Sequence, residues 1–242
     1  MKNSILGTVK LAVIAALACA GCVDNSVDTR SPNNNGVVDQ FLLGVMDGGG
    51  NGGGGVDTIG PNNPNNNGGG GDNYTYTGRT VTIGGQTWMA ENLNRATANS
   101  KCYNNDASNC AKYGRLYTWN DALSACPAGW HLPSDGEWTA LTDAVGGAST
   151  AGRKLKSVDG WEYYSDATKG TDDYGFSALP GGNGSSDGSF SNAGLNGYWW
   201  SATEVGASSA RYRYMNYNIA YVDWSYSGKT LLCSVRCVMD DN

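Results

Sequence analysis

Apolar and polar positions begin to alternate at Val81. Val81 and Ile83 point one way, Gly84-Gly85 follow, and Gln86 to Met89 resume the alternation. Two short strands around a Gly-Gly turn predict a β-hairpin. Further on, "TWNDALSA" (118–125) carries a helical period. Thr118 is its cap with Asp121 three places on, and Trp119, Ala122, Leu123 and Cys126 share the predicted buried face. Pro127 ends it. Ser134 and Glu137 then have the spacing of a capping box for a second helix, with Trp138, Leu141 and Val145 as its stripe and Gly146-Gly147 as its stop. From Gly147 to about Asn196 the chain reads as loop, with "GFSALPGG" (175–182) a short apolar piece inside it. Strands return at 198–204, 209–218, 219–226 and 231–240. The pattern predicts an α+β domain of two short helices, a twisted and mostly antiparallel sheet, and long surface loops.

The first 73 residues are of another kind. Residues 1–21 carry Lys2 and Lys10 and then a short apolar run ending in small residues. That run is too short to span a bilayer and reads as an export signal. Ala20-Gly21-Cys22 resembles a bacterial lipobox, with Cys19 where Leu is usual. The expectation is lipid attachment at Cys22; Cys19 is a second acceptor to weigh, and ordinary cleavage would leave Cys22 a stray thiol. Residues 22–73 are dominated by Gly and Asn, with Phe41 their one aromatic. Such a segment cannot bury enough apolar surface to offset the entropy of ordering. It predicts a tether with a mean reach of about 35–45 Å. Its apolar island, Val37 to Met46, is read as part of that tether rather than as a short helix or docking peptide. All eight Trp and all fourteen Tyr lie beyond it, in residues 74–242, which form one domain large enough for a core.

Export places the chain where disulfides persist. There are seven Cys. With Cys19 removed and Cys22 lipidated, 102, 110, 126, 233 and 237 remain, an odd number. A bridge between Cys102 and Cys110 would pin a polar loop. Cys126 has its natural partner in the last strand, at Cys237 or Cys233. Such a bridge would close a loop of about 110 residues, worth about 4–5 kcal/mol on the loop-entropy estimate. The net charge of −6 is split between a positive leader and two negative segments. Nothing is basic enough to attract nucleic acid.

"ACPAGWHLPSDGEW" (125–138) joins a cysteine to the chain's one histidine, His131. A Cys–His pair would need a thiolate and an orienting third group. Cys126 instead ends a buried helix face in an oxidising compartment, so it reads as structural. His131 reads as a packed residue with one satisfied ring nitrogen, and a single His excludes a His-based zinc cage. Asp172, Asp173 and Glu204 have oxygens suited to Ca²⁺, but they read as solvated acids. No metal and no cofactor is expected.

The blocks "VTIGGQTWMAENLN", "CYNNDASNCAKYGRLYTW", "ACPAGWHLPSDGEWTAL", "GFSALPGG", "YWWSATE" and "SVRCVMD" resemble the Fibrobacter succinogenes major paralogous domain from about Val81 to Asp240. The resemblance implies an exported or surface-attached protein. The order of elements is also similar to C-type lectin-like domains and to the formylglycine-generating enzymes that share their architecture. This likeness implies a bridge from the first helix to the last strand, pairing Cys126 with Cys237 and leaving Cys233 odd. Neither the Glu-Pro-Asn calcium loop of sugar-binding lectins nor the paired catalytic cysteines of those enzymes is matched. Trp119-Asn120-Asp121 resembles the lectin triplet but lies in the first helix, away from its place.

Aromatic residues give the remaining signal. Tyr212 and Tyr214 should share one strand face, and Tyr217, Ile219 and Tyr221 another, with Trp224 beyond. Tyr163-Tyr164 occupies a loop. These seven aromatics are the candidate binding residues, for a polysaccharide or a cell-surface protein. The expectation is a non-catalytic, lipid-anchored module at the outer membrane or cell surface. A purely structural envelope protein is the next reading. An exported hydrolase comes last, since it needs two facing carboxylates, with Glu137, Glu162, Glu204 and Asp223 as candidates.

Overall fold

The computed structural model describes residues 74–241. The leader, Cys22, the tether and its apolar island lie outside the described residues. In chain order the elements are β1 (Thr80–Ile83), β2 (Gln86–Met89), a 3-10 turn (Tyr103–Asn105), α1 (Ala107–Tyr113), β3 (Leu116–Tyr117), α2 (Trp119–Ala125), β4 (Trp130–His131), α3 (Asp135–Ala144) and α4 (Ala148–Leu155). There follow β5 (Gly181–Gly184), β6 (Phe190–Ala193), β7 (Asn196–Gly206), β8 (Ser209–Asn216), β9 (Asp223–Gly228), β10 (Cys233–Ser234) and β11 (Val238–Met239). The fold class is α+β.

The hairpin forms as its pattern requires. β1 and β2 pair antiparallel, and Gly84 and Gly85 take φ of +61° and +85°, which the turn demands of both its central residues. Thr118 caps α2 by accepting from the Asp121 N–H, and both halves of the Ser134–Glu137 capping box are made. Trp138, Leu141 and Val145 are fully buried. Trp119, Ala122 and Cys126 of the expected α2 face pack into the core together with Ala125, whereas Leu123 stands 47% exposed.

Four expectations are corrected. Among the described residues there are four α-helices, not two. α1 begins inside the Cys102–Cys110 loop and runs past it to Tyr113, and α4 lies where loop was expected. α4 has no side-chain cap and carries Ser149, Thr150 and Gly152 among its good helix formers, so its sequence signal is weak and packing holds it. Ala151, Gly152 and Leu155 are buried, and Gly152 lies against the backbone of Tyr221, where a Cβ would collide. Second, there are two sheets, of order β1-β2-β11-β4 and β3-β10-β7-β5-β6, with β8 on β7 and β9 on β8. In the second sheet β7 runs parallel to β5 and β10 and antiparallel to β8. Third, the last strand is two. Between β10 in one sheet and β11 in the other, the Val235 and Cys237 carbonyls accept from the N–H groups of Leu93 and Met89. Fourth, residues 219–222 are not strand; they connect β8 to β9.

The core forms two clusters. In one, Trp88, Trp138, Phe176 and Trp199 meet with ring centroids 4.9–6.4 Å apart. In the other, Tyr117, Trp119, Trp200, Cys233 and Val235 pack beneath α2. Cys126 at the end of α2 is bonded to Cys237, and Cys102 to Cys110, while Cys233 is a buried free thiol.

Candidate binding faces

β7, β8 and β9 form an antiparallel ribbon whose two faces differ. Side chains alternate along a strand, so "RYRY" (211–214) sends its arginines to one face and its tyrosines to the other. On the tyrosine face Tyr198 is opposite Tyr214, and Trp200 is opposite Tyr212. The Tyr212 ring is 5.7 Å from Tyr198 and 6.2 Å from Tyr214. Trp200 is buried beneath this row, and Tyr198, Tyr212 and Tyr214 are each partly exposed. Amides edge it. The Nδ2 groups of Asn192 and Asn196 both donate to the Tyr198 hydroxyl, and Asn192 Nδ2 also donates to Asn183 Oδ1. The Tyr214 hydroxyl donates to Asp223 Oδ2 at 3.0 Å. Burial and then this carboxylate push the Tyr214 pKa up to about 12. The phenol therefore stays a neutral donor.

On the opposite face Arg211 is paired with Tyr226 and Arg213 with Trp224. Asp135, from the first turn of α3, lies against both guanidinium groups. Its Oδ2 accepts from Arg211 Nη1 at 2.6 Å, and its Oδ1 accepts from Arg213 Nε and Nη2 at 2.9 and 2.6 Å. The Arg211 Cζ stands 4.2 Å from the Trp224 ring centroid, a stacked cation–π contact. Trp224 and Tyr226 remain 46% and 60% exposed.

The seven aromatics singled out from the sequence are thus divided. Tyr212 and Tyr214 share one face of the ribbon, and Trp224 is on the other. Tyr217 and Tyr221 are not on a strand face at all. Tyr217 follows β8 and meets Tyr164, centroid to centroid, at 6.0 Å, while Tyr221 projects from the β8–β9 connection. Tyr163 donates to Asp166 from the neighbouring loop. Sequence reasoning missed the Arg211–Arg213–Asp135 group, although the Arg-Tyr alternation was a signal for its two arginines.

The other candidates take structural positions. Cys126 is in a disulfide. His131 is not a packed residue with one bond. Its side chain is 41% exposed and both ring nitrogens are engaged, Nδ1 with Asp240 Oδ1 at 2.6 Å and Nε2 with Glu137 Oε1 at 2.7 Å. Burial alone would lower its pKa, but the hydrogen bonds its ring donates to the Asp240 and Glu137 carboxylates raise it. Glu204 is paired with Lys229, Asp223 with Tyr214, and Glu137 with Ser134 and His131. Glu162 is exposed. Asp172 binds the N–H and hydroxyl of Ser177. Among the described residues no group of three or more His, Cys, Asp or Glu is placed to hold a metal ion, and no helix is long and apolar enough to cross a membrane. A shallow pocket of about 210 Å³ beside α1, lined by Glu91, Asn94 and Lys112 among others, holds none of the candidate aromatics.

Fold and faces together define a disulfide-braced α+β domain with an aromatic sheet ribbon at its surface. The chain belongs to the Fibrobacter succinogenes major domain family, whose model matches residues 81–239. No curated protein and no solved structure matches it.

Proposed function

We propose that this protein is a non-catalytic surface lipoprotein, anchored through Cys22, whose domain binds an extracellular polysaccharide. One observation carries the reading: the β7–β8–β9 ribbon bears aromatic rings on both faces, partly or largely exposed, flanked by amide, carboxylate and guanidinium groups. Rings in water offer flat apolar area to the C–H face of a pyranose, and the polar edge offers hydrogen bonds to its hydroxyls. The four carboxylates weighed for hydrolysis support the non-catalytic reading. Three are held singly by other partners, and the fourth lies apart in an exposed loop.

A C-type lectin-like architecture is part of this proposal. Its support is the bridge from the end of α2 to the last strands, the α2–α3 pair, and the Trp-rich β7 that feeds the ribbon. The leader and lipobox-like Cys22 support export and anchoring.

The test is a pull-down of the full chain, disulfides intact, with insoluble polysaccharides and on a glycan array. Binding that falls at least tenfold in Tyr212→Ala, Tyr214→Ala or Trp224→Ala supports the reading. No binding to any glycan sinks it and favours a protein partner or a structural role in the envelope.

A further inference from the structure

Charge on the arginine face of the ribbon does not balance. Arg211 and Arg213 share one carboxylate, Asp135, so the group carries a surplus positive charge. The two arginines are not equivalent. Arg213 has a side chain 6% exposed and spends itself on the Asp135 carboxylate, the Asp135 carbonyl and Thr139 Oγ1. It fixes the position of Asp135. Arg211 is 32% exposed and gives Asp135 only Nη1. Among the described residues its Nε and Nη2 have no hydrogen-bond partner. They form the edge of a planar guanidinium that Trp224 holds flat by stacking and Asp135 holds at one corner. Next to this fork stand two exposed rings, Trp224 and Tyr226.

We propose that this face is a subsite for an acidic sugar residue, a uronate within a polysaccharide. The pyranose ring stacks on Tyr226, since Arg211 already covers a face of Trp224, and its carboxylate takes the open N–H groups of Arg211. The inference rests on the polysaccharide-binding reading and narrows it. Three features select the ligand class. A guanidinium edge matches a carboxylate with two parallel hydrogen bonds. The positive surplus is local within an acidic chain of net charge −6, so a polyanion has reason to dock here rather than elsewhere. Asp135 and Trp224 already hold Arg211 in place, which lowers the entropy lost on binding.

The test uses the full chain with its disulfides intact, titrated calorimetrically with three probes: polygalacturonate, the same polymer fully methyl-esterified, and a neutral β-glucan. Polygalacturonate is expected to bind at least tenfold more tightly than its ester, and the difference is expected to shrink as salt rises from 0.05 to 0.5 M. Arg211→Gln and Trp224→Ala should each weaken polygalacturonate binding at least tenfold. Arg211→Lys should keep part of it, and Tyr212→Ala should change it less than threefold. Tyr226→Ala is a further variant, because its exposed side chain leaves the fold intact. A loss there with unchanged thermal stability supports the subsite. Equal affinity for ester and acid, or full binding by Arg211→Gln, overturns the inference. If the neutral glucan alone binds and is released by Tyr214→Ala, the general reading stands and this subsite is refuted. If no polymer binds, both are refuted.

Discussion

Arg236 donates from Nη2 to Asn92 Oδ1 at 2.9 Å, and the same oxygen accepts Trp199 Nε1 at 2.8 Å. The arginine is fully buried and lies 4.3 Å over the Phe176 ring, with the Phe176 and Ser177 carbonyls as its other acceptors. No carboxylate among the described residues accepts a hydrogen bond from it. Burial lowers its pKa to about 10, so it remains charged at neutral pH and depends on these neutral oxygens. Asn92 also donates to the Tyr113 carbonyl at 2.9 Å, and so ties the segment after β2 to α1.

Replacing Asn92 with Ala leaves a buried guanidinium N–H and a buried indole N–H without acceptors. Each unsatisfied donor costs about 1–3 kcal/mol, so Asn92→Ala should lose about 3–5 kcal/mol in urea denaturation. A loss below about 1 kcal/mol would show that the network relaxes without it.

The two disulfides should differ in worth. Cys126–Cys237 spans a sequence separation of 111 and Cys102–Cys110 one of 8. On loop entropy the first contributes about 4–5 kcal/mol and the second about 2.5 kcal/mol. The paired Ala variants, compared by denaturant midpoint, should rank in that order. The reverse ranking would mean that strain or residual structure, not loop entropy, decides.

The His131 clasp makes stability depend on pH in a defined window. Its folded pKa is raised from 6.5, so its contribution is fully present below 6.5 and is lost as pH rises through the higher folded value. Glu137 is the mirror case. Burial alone would raise its pKa, but the Ser134 backbone and His131 bonds outweigh that and lower it from 4.5. Its contribution is therefore present above 4.5 and is lost as pH falls through the folded value. The clasp should stabilise most between 4.5 and 6.5. His131→Gln should flatten the melting temperature across pH 5 to 8, and an unchanged slope in that variant would remove the clasp from the account.

Lys156 holds three chain segments with one ammonium group. Its Nζ donates to the carbonyls of Thr168, Asn216 and Ile219 at 2.6, 3.0 and 2.9 Å. Lys156→Met keeps the stem and removes the donors, leaving the Thr168 and Ile219 carbonyls without their donor and the Asn216 carbonyl with only the Ile219 N–H. It should cost about 2–4 kcal/mol. Hydrogen exchange should accelerate first around 165–170 and 216–221, the segments whose carbonyls Lys156 holds. Uniform acceleration across the domain would contradict a local role.

The sequence by itself determined the elements whose signals are local. A Gly-Gly pair between alternating strands gives a hairpin, and a Ser-x-x-Glu box before an apolar stripe gives α3, because turn and cap chemistry act within a few residues. The Arg-Tyr alternation of β8 likewise fixes which side chains share a face. Tertiary structure decided the rest. α4 starts without a side-chain cap and carries Ser, Thr and Gly, and the β5–β6 hairpin is rich in Gly and Asn, so the local signals of both are weak, and they form because packing and pairing hold them. The last apolar run split between two sheets because Leu93 and Met89 needed its carbonyls. Tyr217 and Tyr221 left the strand because the chain must turn between β8 and β9. Asp135 met Arg211 and Arg213 from 76 and 78 residues away, and His131 met Asp240 from 109. No periodicity encodes such meetings. They arise when two sheets and four helices close on one another, and buried charge then takes whatever oxygen the fold has brought near.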